Sequence, residues 1–419
     1  MSLRLVSFLG IFILLALAWA LSANRRHFPW RTVAGGLLLQ FVFATLILKT
    51  PIGAQVFLGA QAAVDQLNVC ANEGAKMVFG PLGDAASLRA VFGPAGSFVF
   101  AISISATIIL VSALSSFLYH VGVLQRVVAA MAWAMQKMMG TSGSESLAAA
   151  SNIFLGQTEA ALLIKPYLPR LTQSEVMALM TAGFSTIATG VMAVYAGMEG
   201  MSAGHILTAS VLGAPAGLLM SKVMFPEMEV SETGEKHHFA VKRTAVNSLD
   251  ALCQGASEGV MLSLNIMGML IAFVALVALI NGLFTWPQTS LGITSPLTIQ
   301  QLFGWVNAPF AWIMGVPLKD CGYIGQILGE RIVLNEFVGY LNLSAHVKAN
   351  PGVLDERSVT LASYALCGFA NFASIAIQIG GIGALVPERR GDLARLGARS
   401  MLAGLLACYL FTCIVGVLI

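Results

Sequence analysis

Long apolar stretches alternate with short polar connections along almost the whole chain. An apolar α-helix of about twenty residues crosses the hydrocarbon layer of a bilayer, roughly 30 Å thick, and satisfies its own backbone hydrogen bonds there. The pattern therefore predicts an all-α polytopic membrane protein. We predict eight transmembrane helices, at residues 3–22, 33–50, 97–120, 173–198, 204–225, 258–283, 358–381 and 399–419.

Two further apolar segments, 141–171 and 317–345, are each interrupted near the middle by polar residues. The arms on either side of the polar centre are too short to cross a bilayer. We interpret both segments as re-entrant helical hairpins. Glu159 lies at the tip of the first hairpin, and Glu336 lies at the tip of the second.

The order of these elements occurs twice in the chain. Each hairpin is followed by two crossings, so residues 141–225 and 317–419 are predicted to form two inverted repeats. Residues 226–257 between them are predicted to be a polar cytoplasmic linker. Broken segments at matching positions of two halves are typical of secondary transporters, which bind their substrate near the midplane.

Most of the basic side chains fall on one side of this topology. If the loop that carries Arg25, Arg26 and Arg31 is cytoplasmic, the connections near 165–170 and 389–399 are cytoplasmic as well. Lysine and arginine favour the cytoplasmic side. We therefore predict that both termini are periplasmic, that the first hairpin enters from the cytoplasm, and that the second enters from outside.

Composition supports the same class of protein. Hydrophobic residues make up 57% of the chain and charged residues only 10%, against about 25% charged in soluble domains. No basic run is interleaved with aromatic residues, which argues against a nucleic-acid partner. No HExxH or GxSxG motif stands in a usable context, so we predict neither an enzyme nor an organic cofactor.

Glu159 and Glu336 are the first candidates for chemistry, because ionisable groups at membrane depth are costly and usually functional. We find no basic partner nearby in sequence for either carboxylate. Alternatively, each carboxylate caps the second arm of its hairpin, where the helix dipole stabilises a negative charge. Beside Glu159, Gln157 and Thr158 offer an amide and a hydroxyl.

A second polar group lies in the crossing at 358–381. Asn371 and Ser374 are three residues apart and should share one face of this helix, and Phe369 lies beside them. Each residue alone could simply contact a neighbouring helix. Together with the two carboxylates, they suit a neutral, polyhydroxylated ligand with a ring.

Two capping boxes occur near the first hairpin. Ser142 precedes Glu145 by three residues, and Thr172 precedes Glu175 by three. This spacing lets the two side chains bond each other's backbone N–H groups. We interpret both pairs as helix starts and nothing more.

Three motifs resemble signatures of the concentrative nucleoside transporter family, in its short bacterial form. They are Gly156-Gln157-Thr158-Glu159, Asn335-Glu336-Phe337-Val338 and Cys367-Gly368-Phe369-Ala370-Asn371. The resemblance covers essentially the whole chain. It implies a homotrimer in a lipid bilayer, interfacial helices near 54–80, 124–140 and 300–316, and a mobile transport domain made of the hairpins and the crossings that follow them.

The resemblance also divides the chain. Residues 1–140 would hold the N-terminal spans, interfacial helices and part of a scaffold, and 258–316 a scaffold span and an interfacial helix. Glu336, Asn371 and Ser374 would bind ribose hydroxyls. The nucleoside base would meet Gln157, Thr158, Glu159, Val191 and Phe369.

For a coupling sodium ion, the resemblance implies a site made of Asn152, Leu155, Thr186 and Ile187. Thr186 stands where the resembling bacterial pattern has serine, and it keeps the hydroxyl. Some family members use protons, so a proton-coupled nucleoside transporter remains an alternative, and a sodium-coupled transporter of another small solute is a further one. An anionic solute would need a fixed positive group, and we find no lysine or arginine at a hairpin tip. The short form indicates the bacterial inner membrane.

Overall fold

The computed structural model describes residues 2–92, 99–233, 245–293 and 296–419. Within those residues the chain is helical, and the described part contains no β-strand. The start of the predicted crossing at 97–120 and the middle of the predicted linker lie outside the described residues.

The N-terminal part consists of two apolar helices long enough to cross a membrane, followed by a third long helix and a short fourth one. Their bounds are α1 Leu3–Ala20, α2 Trp30–Lys49, α3 Pro51–Phe79 and α4 Ala85–Phe92. The Thr50 hydroxyl accepts a 3.1 Å hydrogen bond from the Gly53 N–H and so begins α3 directly after α2. Helix α3 matches the interfacial helix expected near 54–80.

The first repeat begins with a long helix and an interfacial helix, continues through the first hairpin, and ends with two crossings. The bounds are α5 Phe100–His120, α6 Val123–Met139, α7 Gly143–Ser151, α8 Glu159–Leu163, α9 Gln173–Ser185, α10 Thr189–Ala196 and α11 Ala203–Met224. Helices α5 and α6 form a pair that bends by 75°. The left-handed Gly122, with φ of +88°, makes this bend possible.

The second repeat has the same order of elements. The bounds are α12 Ser248–Ser290, α13 Ile299–Ile313, α14 Leu318–Val333, α15 Glu336–Ala349, α16 Glu356–Leu366, α17 Phe372–Leu385 and α18 Arg390–Leu418. Helix α12 packs along α5, its counterpart in the first repeat. In both parts of the chain, a long helix and a shorter helix therefore precede the hairpin.

Two predicted crossings are broken helices. The crossing at 173–198 is interrupted at residues 186–188, between α9 and α10, and the crossing at 358–381 is interrupted at 367–371, between α16 and α17. A break frees backbone groups at membrane depth, which other groups must satisfy. With these two broken crossings, α1, α2, α5, α11, α12 and α18 complete the predicted eight, although α12 and α18 are longer than predicted.

The two hairpins enter the helix bundle from opposite ends. Near the start of the first hairpin, the Gly143 N–H donates to the Thr233 carbonyl at 3.0 Å, next to the end of α11. Near the start of the second, Arg357 donates to the Gly315 carbonyl at 2.9 Å and to the Gly416 carbonyl at 2.6 Å. Since Gly416 is at the end of α18 and Arg4 bonds Ile419, both termini share the second hairpin's side.

The repeats differ in how deeply their helices are buried. In the most apolar window of α11, 89% of the residues are buried, and the value for α18 is 83%. For α12 it is only 6%, with apolar residues such as Ile271 and Leu283 exposed. The core therefore forms around α9, α11 and α18, whereas α12 lies at the periphery.

Both predicted capping boxes are present, at Ser142 with Glu145 and at Thr172 with Glu175. The prediction that they only start helices was wrong. The Lys222 ammonium lies 2.8 Å from the Glu145 carboxylate and 3.2 Å from that of Glu227. The Lys222 ammonium on α11 thus neutralises the negative charge of the capping Glu145 side chain inside the protein.

Replacing Lys222 with methionine should destabilise the protein by about 3–5 kcal/mol, because it leaves the Glu145 charge buried without a partner. The Lys222 and Glu145 side chains are only 6% and 2% exposed. Thermal unfolding in detergent measures this loss. Lys348→Met is the control, since Lys348 pairs with Glu199 at the surface; equal shifts in both variants would contradict the prediction.

Candidate substrate and ion site

The tip of the first hairpin is an irregular segment, residues 152–158, between α7 and α8. Gln157 is buried there, and its Oε1 accepts a 2.9 Å hydrogen bond from Nε2 of Gln378 on α17. The Glu159 carboxylate folds back over Gly156, where a side chain would clash with it. The tip therefore presents a buried, hydrogen-bonded amide at Gln157 and an exposed carboxylate at Glu159.

The tip of the second hairpin holds Glu336 in a defined position. Asn335 caps α15 by accepting a 3.0 Å hydrogen bond from the Val338 N–H. Glu336 is the first residue of α15, where the positive end of the helix dipole favours a carboxylate. Its Oε1 accepts from the Tyr195 hydroxyl at 2.9 Å, and its Oε2 accepts from Asn371 Nδ2 at 2.9 Å. The alternative in which Glu336 is only a cap is therefore wrong.

Asn371 lies at the break between α16 and α17 and not inside a continuous helix. Its Oδ1 accepts a 2.9 Å hydrogen bond from the Ser374 N–H and caps α17. The prediction that Asn371 and Ser374 share one face of an unbroken crossing was therefore wrong in its local structure. The break leaves Asn371 Nδ2 free to bind Glu336, and both Asn371 and Ser374 are 2% exposed.

One face of α17 connects the two hairpin tips. Asn371, Ser374, Gln378 and Gly381 are spaced by three, four and three residues, which places them in one row along the helix. Asn371 contacts the second hairpin at Glu336, and Gln378 contacts the first at Gln157. At Gly381 a side chain would clash with Thr158. The predicted site residues of both hairpins thus lie along this one row.

Val191 and Phe369 complete the set of predicted substrate residues. Val191 is 3% exposed and lies one helical turn before Tyr195 on α10, so both residues are on the face that meets Glu336. Phe369 is half-buried in the break that Asn371 ends. The predicted residues therefore come from both hairpins and both broken crossings, which contact each other through Tyr195, Glu336, Asn371, Gln378 and Gln157.

The predicted sodium ligands lie at two neighbouring breaks. The Ser210 hydroxyl of α11 is 3.2 Å from the Ile153 carbonyl and 3.5 Å from the Ile187 carbonyl. The Thr189 N–H, at the start of α10, donates to the Phe154 carbonyl at 3.3 Å. These contacts bring the tip of the first hairpin against the α9–α10 break.

Two side-chain oxygens at these breaks receive no hydrogen bond from the described residues and are therefore available to a cation. Asn152 Nδ2 donates to the Ala148 carbonyl at 3.1 Å, and no described residue bonds its buried Oδ1. The Thr186 hydroxyl donates to the Ala182 carbonyl at 2.8 Å, which leaves its lone pairs for another partner. The carbonyls of Leu155 and Thr186 receive no hydrogen bond from the described residues. This donor set fits a sodium ion.

Sequence reasoning missed several residues of this region. Tyr195, Gln378 and Ser210 each bond a predicted residue or a break beside it. Gln378 could have been found, because it continues the polar row of Asn371 and Ser374 by one further turn. The statement that Glu336 has no basic residue nearby in sequence overlooked Arg331, which precedes it by five residues and binds the α16–α17 break.

The arrangement of two hairpins, two broken helices and a buried polar row defines a secondary transporter. Three family models match this chain. Residues 9–82 match the N-terminus and residues 205–416 the C-terminus of the Na+-dependent nucleoside transporter, and residues 101–202 match a model described as nucleoside recognition.

Known proteins resemble the chain over nearly its whole length. An uncharacterized transporter of Haemophilus influenzae is 42% identical, with 99% of this chain and 98% of the relative covered. The nucleoside permease NupC of Helicobacter pylori is 36% identical, with the same coverage. The sodium/nucleoside cotransporter 1 of Rattus norvegicus is 38% identical over 99% of this chain, which spans 64% of that longer protein.

Solved structures agree with these relatives. The structure of CNTnw in an inward-facing, substrate-bound state matches with a TM-score of 0.91 and 37% identity, over 99% of this chain and 98% of that one. The chain therefore belongs to the concentrative nucleoside transporter family. This confirms the family and the all-α fold predicted from the sequence, and it makes the protein a transporter and not an enzyme.

Proposed function

We propose that the protein is a sodium-driven symporter that imports nucleosides. The observation that carries this proposal is the polar row of α17, which contacts both hairpins. Its Asn371 amide binds Glu336 of the second hairpin, and its Gln378 amide binds Gln157 of the first. Such a row offers acceptors for hydroxyls at one end and an amide for a heterocycle at the other. The family to which the chain belongs supports the same substrate class.

Glu336, Asn371 and Ser374 would bind the ribose. A carboxylate accepts strongly from neighbouring hydroxyls, and Glu336 is oriented for this by Tyr195 and Asn371. Gln157, Thr158 and Glu159 would bind polar edges of the base, while Phe369 and Val191 would pack against its ring. A solute without hydroxyls would leave the remaining lone pairs of the Glu336 carboxylate without a donor, which disfavours its binding.

Sodium would bind at Asn152, Leu155, Thr186 and Ile187 and connect the first hairpin to the α9–α10 break. An ion there would stabilise the position of Gln157, five residues after Asn152. Sodium and nucleoside would then favour the same state of the hairpin, so each would raise the affinity for the other by the same factor.

The mobile transport domain would consist of both hairpins with the crossings that follow them, residues 141–225 and 317–419. The scaffold would use α5 and α12, which pack against each other. The exposed apolar surface of α12 suits lipid and the neighbouring protomers of a homotrimer. With basic residues such as Arg170 and Arg389 on the side of the first hairpin, that side would be cytoplasmic and both termini periplasmic, in a bacterial inner membrane.

Uridine uptake into proteoliposomes tests this function. An inward sodium gradient should drive accumulation above equilibrium, a potassium-only gradient should not, and the recovered uridine should be chemically intact. Uptake driven only by a proton gradient would overturn sodium coupling and keep the nucleoside. A dicarboxylate that competes with uridine, or no uptake by folded protein under any gradient, would contradict the proposed substrate.

A further inference from the structure

Arg331 is a fully buried cation in the first arm of the second hairpin, with 0% of its surface exposed. It cannot touch a substrate. Its Nη1 donates to the Ala365 carbonyl, and its Nη2 donates to the Gly368 carbonyl at 3.1 Å and to Cys408 Sγ at 3.1 Å. The guanidinium therefore joins the hairpin to the α16–α17 break and to α18.

The carbonyls that Arg331 binds are those that the break leaves without helical partners. In an unbroken helix, Ala365 would accept from residue 369 and Gly368 from residue 372. Here α16 ends at Leu366 and α17 begins at Phe372. The Cys367 carbonyl between them accepts from Cys408 Sγ at 3.1 Å. Arg331 and Cys408 together thus bind the free carbonyls of the break, whereas Glu336 binds the Asn371 side chain at its end.

The charges at the break match the two helix ends that meet there. Arg331 lies at the C-terminal end of α16, where the helix dipole is negative, and Glu336 reaches the N-terminal end of α17 through Asn371. Gly368, with φ of +140°, has the backbone conformation that this sharp turn requires. Arg331 and Glu336 both belong to the second hairpin, one in its first arm and one at its tip. They can therefore hold the two sides of the break at a fixed distance from each other.

We propose that Arg331 is a positioning residue for ribose recognition: it fixes the 367–371 break on the second hairpin, so that Asn371 stays bonded to Glu336 and both face the sugar hydroxyls. This role rests on the proposed function. Loss of the guanidinium would release the Ala365 and Gly368 carbonyls, allow the break to shift, and weaken recognition of the hydroxyls more than recognition of the base.

The test compares proteoliposome uptake of uridine with that of 2′,3′-dideoxyuridine, which lacks the 2′- and 3′-hydroxyls of the ribose and keeps the 5′-hydroxyl. For wild type, KM should be much higher for the dideoxy compound. In Arg331→Met, KM for uridine should rise by about tenfold or more, while KM for the dideoxy compound changes little. The KM ratio, defined as KM for the dideoxy compound divided by KM for uridine, should therefore fall. Arg331→Lys keeps the charge but loses the planar fork, and its ratio should fall less.

Arg357→Met is the matched control. Arg357 also donates to two backbone carbonyls, but it belongs to α16 itself, at the end of that helix opposite to the break; its KM ratio should equal that of wild type. A reduced maximal rate with an unchanged ratio in both Arg331 variants would overturn the proposal, and Arg331→Lys decides alone if Arg331→Met does not fold. Failure of wild type to transport uridine would instead contradict the proposed function, and this role with it.

Discussion

Replacing Glu336 with glutamine should lower uridine uptake by about a hundredfold or more. In the native site one carboxylate oxygen accepts from Tyr195 and the other from Asn371. A glutamine amide has only one acceptor oxygen, so its NH2 group must face one of these two donors. It also accepts a ribose hydroxyl more weakly than a carboxylate does. Initial uptake rates and uridine binding, both measured at saturating sodium, check this result.

Glu330→Gln is the matched control for that variant. Glu330 is on the same hairpin, is 7% exposed, and likewise accepts from two side-chain amides, those of Gln326 and Asn342. The chemical change is identical, but Glu330 contacts no predicted substrate residue among those described, so this variant should retain most of its uptake. Equal losses in the two variants would indicate damage to the hairpin and contradict a substrate role for Glu336.

The hairpins could be predicted from sequence because each has a strong polar interruption, at residues 157–159 and 335–336, between arms too short to span a bilayer. The breaks in the following crossings could not. Residues 186–188 contain neither glycine nor proline, and 367–371 lie in a largely apolar run. Hydropathy averages over such short interruptions, and the partners that stabilise them, Ser210 and Arg331, are distant in the chain.

The candidate site was predictable where the residue type itself is unusual at membrane depth, as for Glu336 and Asn371. It was not predictable where a residue acts through its orientation. Tyr195 is one residue of an apolar crossing until α10 brings its hydroxyl to the Glu336 carboxylate. Arg331 lies among the charged residues of 319–331, and only its burial distinguishes it from the exposed Lys319.

Replacing Asn152 with leucine should raise the sodium concentration needed for half-maximal uptake by at least about tenfold, or abolish sodium dependence. Leucine has nearly the same size as asparagine but lacks the buried Oδ1, which no described residue bonds. Because the two affinities are reciprocal, the variant should also bind uridine more weakly at a fixed, subsaturating sodium concentration. Uptake measured across a sodium titration, at several uridine concentrations, separates the two effects.

Thr186 provides a matched pair of variants for the same site. Thr186→Val keeps the shape and removes the hydroxyl, so it should shift the sodium dependence in the same direction as Asn152→Leu. Thr186→Ser keeps the hydroxyl that donates to the Ala182 carbonyl and should behave like wild type. If Thr186→Val and Asn152→Leu both keep the wild-type sodium dependence, the ion binds elsewhere. If Thr186→Val keeps the wild-type sodium dependence but Asn152→Leu does not, the backbone carbonyls at the break and Asn152 supply enough oxygen ligands without the Thr186 hydroxyl.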